Sequence, residues 1–296
     1  YRPEMGEEDE EAPRGLDTLE TPLPFLTGSL FHEGLEYYYR SGCKGGEDTG
    51  KYDLIKAFNR VDKVKDKLTW SDEDTKIEEV AQVKDMLDKY AREQCMDFPS
   101  IKVKCDVLGD PIIERQFAHK IGYADHIFTC IPDMLIDHNG FLKVMEHKTS
   151  APNFAQGRLR SIGMDAQITG ELWTIMQEFP GEEISGVMMN VIKKRNKTGA
   201  MVLRETGTRS AVQIERWRLA TIDSLKRLDD AIDRFECLRE TGWETEQAAD
   251  SCFPILGIRT GTCYAYYKEC EFMSLCKANP ERVPVLLNLF KKREAR

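Results

Sequence analysis

The sequence has no apolar run near the ~18 residues that a membrane-crossing helix needs, so no membrane partner is expected. No export signal is visible in its first 20 residues, which are acidic rather than basic and then apolar. It has no excess of positive charge: 42 Lys and Arg stand against 51 Asp and Glu, a net −9 at pH 7. That excludes a histone-like binder but leaves room for a local cationic groove. It shows no internal repeat and no paired CxxC. Tyr1 stands first instead of Met, which leaves a fragment or a processed product open. What is present is ordinary for a soluble chain, with 41% hydrophobic and 31% charged residues over 296 positions. That length suggests one large domain or two small ones, burying roughly 75% of the unfolded surface.

The acidity is concentrated. Residues 1–20 hold eight acids and two bases, so −6 falls there and −3 on the remainder. This segment reads as a disordered acidic tail, and residues 21–296 as the folded part. The nine cysteines are odd in number and come without an export signal, which points to a reducing, intracellular (cytoplasmic) setting. Four of them fall within residues 252–276, a Cys-rich C-terminal segment.

Periodicity predicts a helix over 25–40 despite its glycines, a Gly-rich loop over 41–50, and a helix starting near Ser71-Asp72-Glu73-Asp74 with acids in its first turn. From about residue 100 the runs IKVKCDVL, PIIERQFAH, YADHIFTC, DMLID and FLKVMEHK favour strands. Helix returns near 164–179, strand over 184–193, a long helix over 210–240 and a final helix near 281–294. The order implies an α/β or α+β domain with a mixed sheet.

Residues 131–149, IPDMLIDHNGFLKVMEHKT, carry the chemistry. Asn139-Gly140 between two strand-like runs is a strong hairpin signal. If those two residues form the loop, His138 pairs with Phe141, and Asp133 falls opposite Glu146. Alternation then puts Lys148 on the face of Glu146. Two carboxylates facing each other across a ladder repel and want a cation. Mg²⁺ or Mn²⁺ takes such oxygens, and Lys148 beside them can orient a water or steady developing negative charge. The alternative is a surface strand pair whose acids face water and whose Lys148 makes an ordinary ion pair. Asp125 is a rival first carboxylate, but it does not align with Glu146 in this register.

Pro132-Asp133 followed by Glu146-His147-Lys148-Thr149 resembles the PD-(D/E)XK nuclease superfamily, and more narrowly its RecB-like branch, phage-type exonucleases above all. Gly28-Ser29-Leu30-Phe31-His32-Glu33 is similar to that branch's Gly-x-x-x-His helix. Asp165-Ala166-Gln167 and the strand after it are similar to its Gln-x-x-x-Tyr region, except that Glu171 occupies the Tyr position, with Trp173 as a substitute aromatic surface. Glu114 matches a Glu often found before the hairpin. The resemblance implies a restriction-endonuclease-like α/β core, a central mixed sheet flanked by helices. It implies His32, Asp133 and Glu146 as ligands of Mg²⁺ or Mn²⁺, joined by a carbonyl near Met145, with Asp133, Glu146 and Lys148 as the catalytic residues, Lys148 orienting the attacking water, and Gln167 and Glu114 as positioning groups.

The same resemblance implies a [4Fe–4S] cluster on Cys263, Cys270 and Cys276, with Cys43 or Cys252 as fourth ligand, because no Cys precedes His32. Structural zinc and free buried thiols are the alternatives. Lys193, Lys194, Arg195 and Lys197 could contact DNA phosphates, or could form a solvated turn. The expected activity is a metal-dependent deoxyribonuclease, exonucleolytic by resemblance, in recombination, repair or phage DNA processing. Its partners would be DNA and a helicase or recombination protein. The alternative is a non-catalytic or partner-dependent DNA-binding module with a structural Fe–S or zinc site.

Overall fold

The computed structural model describes residues 16–18, 23–94, 97, 99–195, 201–253, 282, 285 and 290–292. In chain order these form β1 (Leu16–Thr18), α1 (Leu23–Gly42), β2 (Cys43–Lys44), β3 (Glu47–Asp48), α2 (Leu54–Val64), a 3-10 turn (Lys65–Lys67), α3 (Glu73–Gln94), β4 (Ile101–Val103), β5 (Phe117–Lys120), β6 (Ile127–Cys130), β7 (Met134–His138) and β8 (Phe141–Ser150). They continue as α4 (Pro152–Ser161), α5 (Ala166–Glu178), β9 (Ile184–Lys193), β10 (Val202–Gly207), α6 (Ala211–Glu240), α7 (Thr245–Cys252) and β11 (Phe290–Lys292). The chain divides into two compact units, Thr21–Ala220 and Tyr1–Glu20 with Thr221–Arg296. No helix among the described residues is long and apolar enough to cross a membrane.

The first unit is α/β, with a five-stranded mixed sheet in the order β10-β9-β8-β7-β4. β8 and β9 run parallel, and the other neighbours are antiparallel. A parallel pair needs a crossover, which α4 and α5 supply. Successive side chains of a strand leave by opposite faces. β9 therefore sends Met188 and Ile192 toward Leu30 and Phe31 of α1 and Met86 and Tyr90 of α3. It sends Val187, Met189 and Val191 toward Leu159 of α4 and Ile168 and Leu172 of α5. A strand covered on both sides reads as a nearly unbroken apolar run, which GVMMNVI is. Its one polar member, Asn190, is fully buried.

Local chemistry sets the ends of these elements. Asp72 accepts a hydrogen bond from the Thr75 amide at 2.6 Å, and Glu73 and Asp74 occupy the first turn of α3. Asp165 caps α5 through the amides of Gln167 and Ile168. Gly34 lets α1 approach Leu87 of α3, where a Cβ would lie 2.5 Å from its Cδ1. Gly186 has φ +124°, and a Cβ there would run into the Gly207 carbonyl across β9–β10. Gly186→Ala is therefore expected to lower stability by more than about 1 kcal/mol, against the small gain Ala brings at a compatible site. A fall in the urea midpoint at unchanged slope checks this.

The helices over 25–40, from Glu73, near 164–179 and over 210–240, and the strand over 184–193, form as expected. Other segments differ. PIIERQFAH yields a strand only from Phe117, because residues 111–113 make isolated bridges and Glu114 then turns into the left-handed region at φ 48°. α2, α4, the β2–β3 hairpin and β10 are additional elements. Of the segment expected as a final helix near 281–294, only residues 282, 285 and 290–292 are described, and Phe290–Lys292 is a strand, antiparallel to Leu16–Thr18 from the segment read as a tail. Local periodicity does not report a strand partner at the other end of the sequence.

Candidate metal centre

Asn139 (φ 57°) and Gly140 (φ 88°) both adopt left-handed backbone, the geometry of a two-residue hairpin loop. His138 pairs with Phe141 and Met134 with Met145. One step further, Asp133 meets Glu146, its amide donating to Glu146 Oε1 at 3.4 Å. Lys148 Nζ stands 2.9 Å from Glu146 Oε2.

Asp133 is held on both oxygens. Oδ2 accepts from the His147 amide at 2.5 Å, and Oδ1 lies 3.0 Å from His32 Nδ1 on α1. His32 Nδ1 also lies 3.4 Å from Glu114 Oε1. Among the described residues, His32, Glu114 and Asp133 are the one group of His, Cys, Asp or Glu whose donor atoms all fall within 4.8 Å of one another. Glu114 reaches this position from strained backbone, since φ 48° is unfavourable for any residue with a Cβ. Its amide donates to the Asp133 carbonyl at 2.9 Å, which ties the turn to the hairpin.

Of the expected ligands, His32 and Asp133 come together, Glu114 joins them, and Glu146 sits beside the trio rather than inside it. Glu146 turns toward α5. There Gln167 Oε1 accepts from Lys148 at 3.3 Å, and Gln167 Nε2 donates to Glu171 Oε1 at 2.7 Å. Glu171, read only as a departure from Tyr, is a further carboxylate of the site and is almost wholly buried. The available signal was helical spacing: a residue four after a site Gln shares its face. Glu146 Oε2 and Glu171 Oε2 are both buried without a hydrogen-bond partner, Lys148 standing at ion-pair distance from the first. His147 is the other side chain the sequence left without a role. It is buried against Tyr90 and Asn190.

The remaining candidates lie elsewhere. Asp125 is in the β5–β6 hairpin, paired with Lys120 at 2.8 Å. Trp173 is packed against Phe128 and Trp217 and offers no open aromatic surface. Lys194 Nζ donates to the Pro24 carbonyl, and burial pulls its pKa down to about 8. Arg195 pairs with Glu78 and Glu79 and donates to Gln82. These two cations thus already serve internal contacts. Lys197 lies outside the described residues, as do Cys263, Cys270 and Cys276. Cys43 is half-buried, its thiol toward the Tyr39 carbonyl, and burial pushes its pKa up to about 12. Cys252 ends α7.

Charge crowds this site. Burial alone would lower the His32 pKa, but the Asp133 and Glu114 carboxylates outweigh it and raise it to about 10. Burial would raise that of Asp133, yet the charge of His32 and the hydrogen bond from His147 hold it well below the carboxylate range. Burial and the charges of Asp133 and Glu171 push Glu146 far up. Glu171 is raised to about 7, chiefly by burial. Lys148 is raised, because Glu146 and Asp133 outweigh its desolvation.

An oxygen-rich set with one imidazole, and two buried oxygens lacking partners, fits a hard divalent cation such as Mg²⁺ or Mn²⁺. A cation at His32 Nδ1 must displace the proton held there. Mn²⁺ affinity is therefore expected to weaken about tenfold per unit as pH falls below the His32 pKa. Calorimetry in buffers of different ionisation heat would detect the released proton, and affinity that does not change with pH would contradict this. The chain matches no family model and no curated protein sequence.

Proposed function

We propose that this protein is a divalent-cation-dependent deoxyribonuclease of the PD-(D/E)XK type, acting on DNA ends. The observation that carries the reading is the juxtaposition of Asp133, Glu146 and Lys148 across one hairpin, beside the His32–Glu114–Asp133 trio. His32, Glu114 and Asp133, with Glu146 adjoining, would hold Mg²⁺ or Mn²⁺. When bound, such a cation neutralises charge on the phosphate and polarises its oxygen. Lys148, an ammonium at the mouth of the carboxylate cluster, donates to the attacking water and steadies negative charge developing on the phosphate. Gln167 fixes Lys148 by accepting from Nζ. His147 fixes Asp133 through its amide.

The test is degradation of end-labelled single- and double-stranded DNA by the purified protein with Mg²⁺ or Mn²⁺. Cleavage abolished by chelation and restored by either cation supports the reading, and the label pattern gives polarity. Inactive wild-type protein that nonetheless binds DNA would favour the binding-module alternative. A [4Fe–4S] cluster on Cys263, Cys270 and Cys276 is a separate proposal, carried only by the resemblance. Iron and sulfide analysis of anaerobically purified protein tests it.

A further inference from the structure

Behind Asp133, a row of polar side chains crosses three strands. His147 on β8 is level with Asn190 on β9, and Asn190 with Arg204 on β10. A guanidinium only donates hydrogen bonds. Arg204 Nε donates to Asn190 Oδ1 at 2.6 Å, and its other nitrogens donate to Asp97 Oδ2 at 2.8 Å and to Gln94. The amide oxygen of Asn190 must therefore face Arg204. Its nitrogen faces the other way, 3.2 Å from His147 Nε2 and 3.3 Å from the Tyr90 hydroxyl.

That nitrogen also only donates. A hydrogen on His147 Nε2 would point at the hydrogens of Asn190, so Nε2 accepts. The Tyr90 hydroxyl, 2.9 Å from the same nitrogen, completes the arrangement, with the Tyr39 hydroxyl 2.7 Å behind it. The hydrogen of the neutral ring is left on Nδ1, which lies 3.5 Å from Asp133 Oδ2. The same oxygen accepts from the His147 amide. Asp133 Oδ1 is left facing His32.

We propose that Arg204 and Asn190 are positioning residues: they fix the tautomer of His147, which anchors Asp133 Oδ2 and presents Oδ1 to His32 and the cation. This rests on the reading of Asp133 as a cation ligand. Groups behind a metal ligand commonly change affinity 10–100-fold when removed.

Two measurements, neither using DNA, test the row. The first is ¹⁵N NMR of cation-free, ¹⁵N-histidine-labelled protein, which reads the His147 tautomer. Wild type is expected to carry the hydrogen on Nδ1, and a hydrogen on Nε2 overturns the proposal whether or not any variant folds. The second is Mn²⁺ affinity by electron paramagnetic resonance. Arg204→Met, which keeps the aliphatic stem and removes the donor, is expected to mix the tautomers and weaken Mn²⁺ binding by about tenfold or more. Arg204→Lys, which restores a donor toward Asn190 Oδ1, is expected to recover most of both. A Met variant with mixed tautomers and unchanged Mn²⁺ affinity overturns the link to Asp133. Wild type that binds no Mn²⁺ overturns the cation reading instead, and the ring spectrum alone then decides the row.

Discussion

Replacement of Lys148 is expected to reduce cation-dependent DNA cleavage by about a hundredfold to a thousandfold, the loss seen when one preorganised donor to a developing negative charge is removed. Lys148 is also the counterion of Glu146, which is almost wholly buried. Lys148→Ala leaves that carboxylate without its partner, and breaking a buried pair from one side typically costs about 3–5 kcal/mol. Lys148→Gln keeps a donor and separates the two effects. If catalysis depends on the positive charge, both variants lose activity, while the Gln variant keeps its circular dichroism spectrum and its Mn²⁺ affinity. Glu146→Ala should lose activity and weaken Mn²⁺ binding together. Cleavage that persists in folded Lys148→Gln and Glu146→Ala proteins would place the active centre elsewhere.

The second large effect concerns stability and has the opposite sign. Burial raises Glu171 from its ordinary 4.5 to about 7. The folded state then holds the proton more tightly than the unfolded state does. Stability from this group is present below about pH 4.5 and is lost as pH climbs to about 7, staying lost above. Glu171→Gln removes the titration and keeps the shape. The cation-free variant is expected to exceed wild type by up to about 3 kcal/mol at pH 8, with the difference gone near pH 4. Urea unfolding at the two pH values reads this directly. A variant no more stable than wild type at pH 8 would mean that the Glu171 carboxylate is already compensated in the cation-free protein.

The parts of the site legible in the sequence are those joined by short-range geometry. The Asn139-Gly140 turn and the period of two in a strand place Asp133, Glu146 and Lys148 together from the sequence alone. His32 and Glu114 required a resemblance, because nothing local tells a helix on α1 or a turn before β5 that they converge on Asp133. Glu171 is not announced by the resemblance, which has Tyr at that position; its only signal is the helix face it shares with Gln167. Arg204, Asn190 and His147 were out of reach for a different reason. Their alignment comes from the parallel register of β8 with β9, which depends on a crossover, whereas a hairpin register can be counted from its turn. For the basic residues after β9, positive charge in sequence does not show whether Glu79 or Pro24 already engages it.

The left-handed backbone at Glu114 has a consequence for how the protein would respond to selection. A glycine there would relieve the strain, much as amides at 146 and 171 would relieve buried charge. Each change that makes the chain more heat-resistant at these positions also removes a candidate ligand. A laboratory evolution experiment rewarding thermal survival alone, in a medium depleted of divalent cations, would accumulate its improvements in this cleft, and the first trait to disappear would be the chemistry.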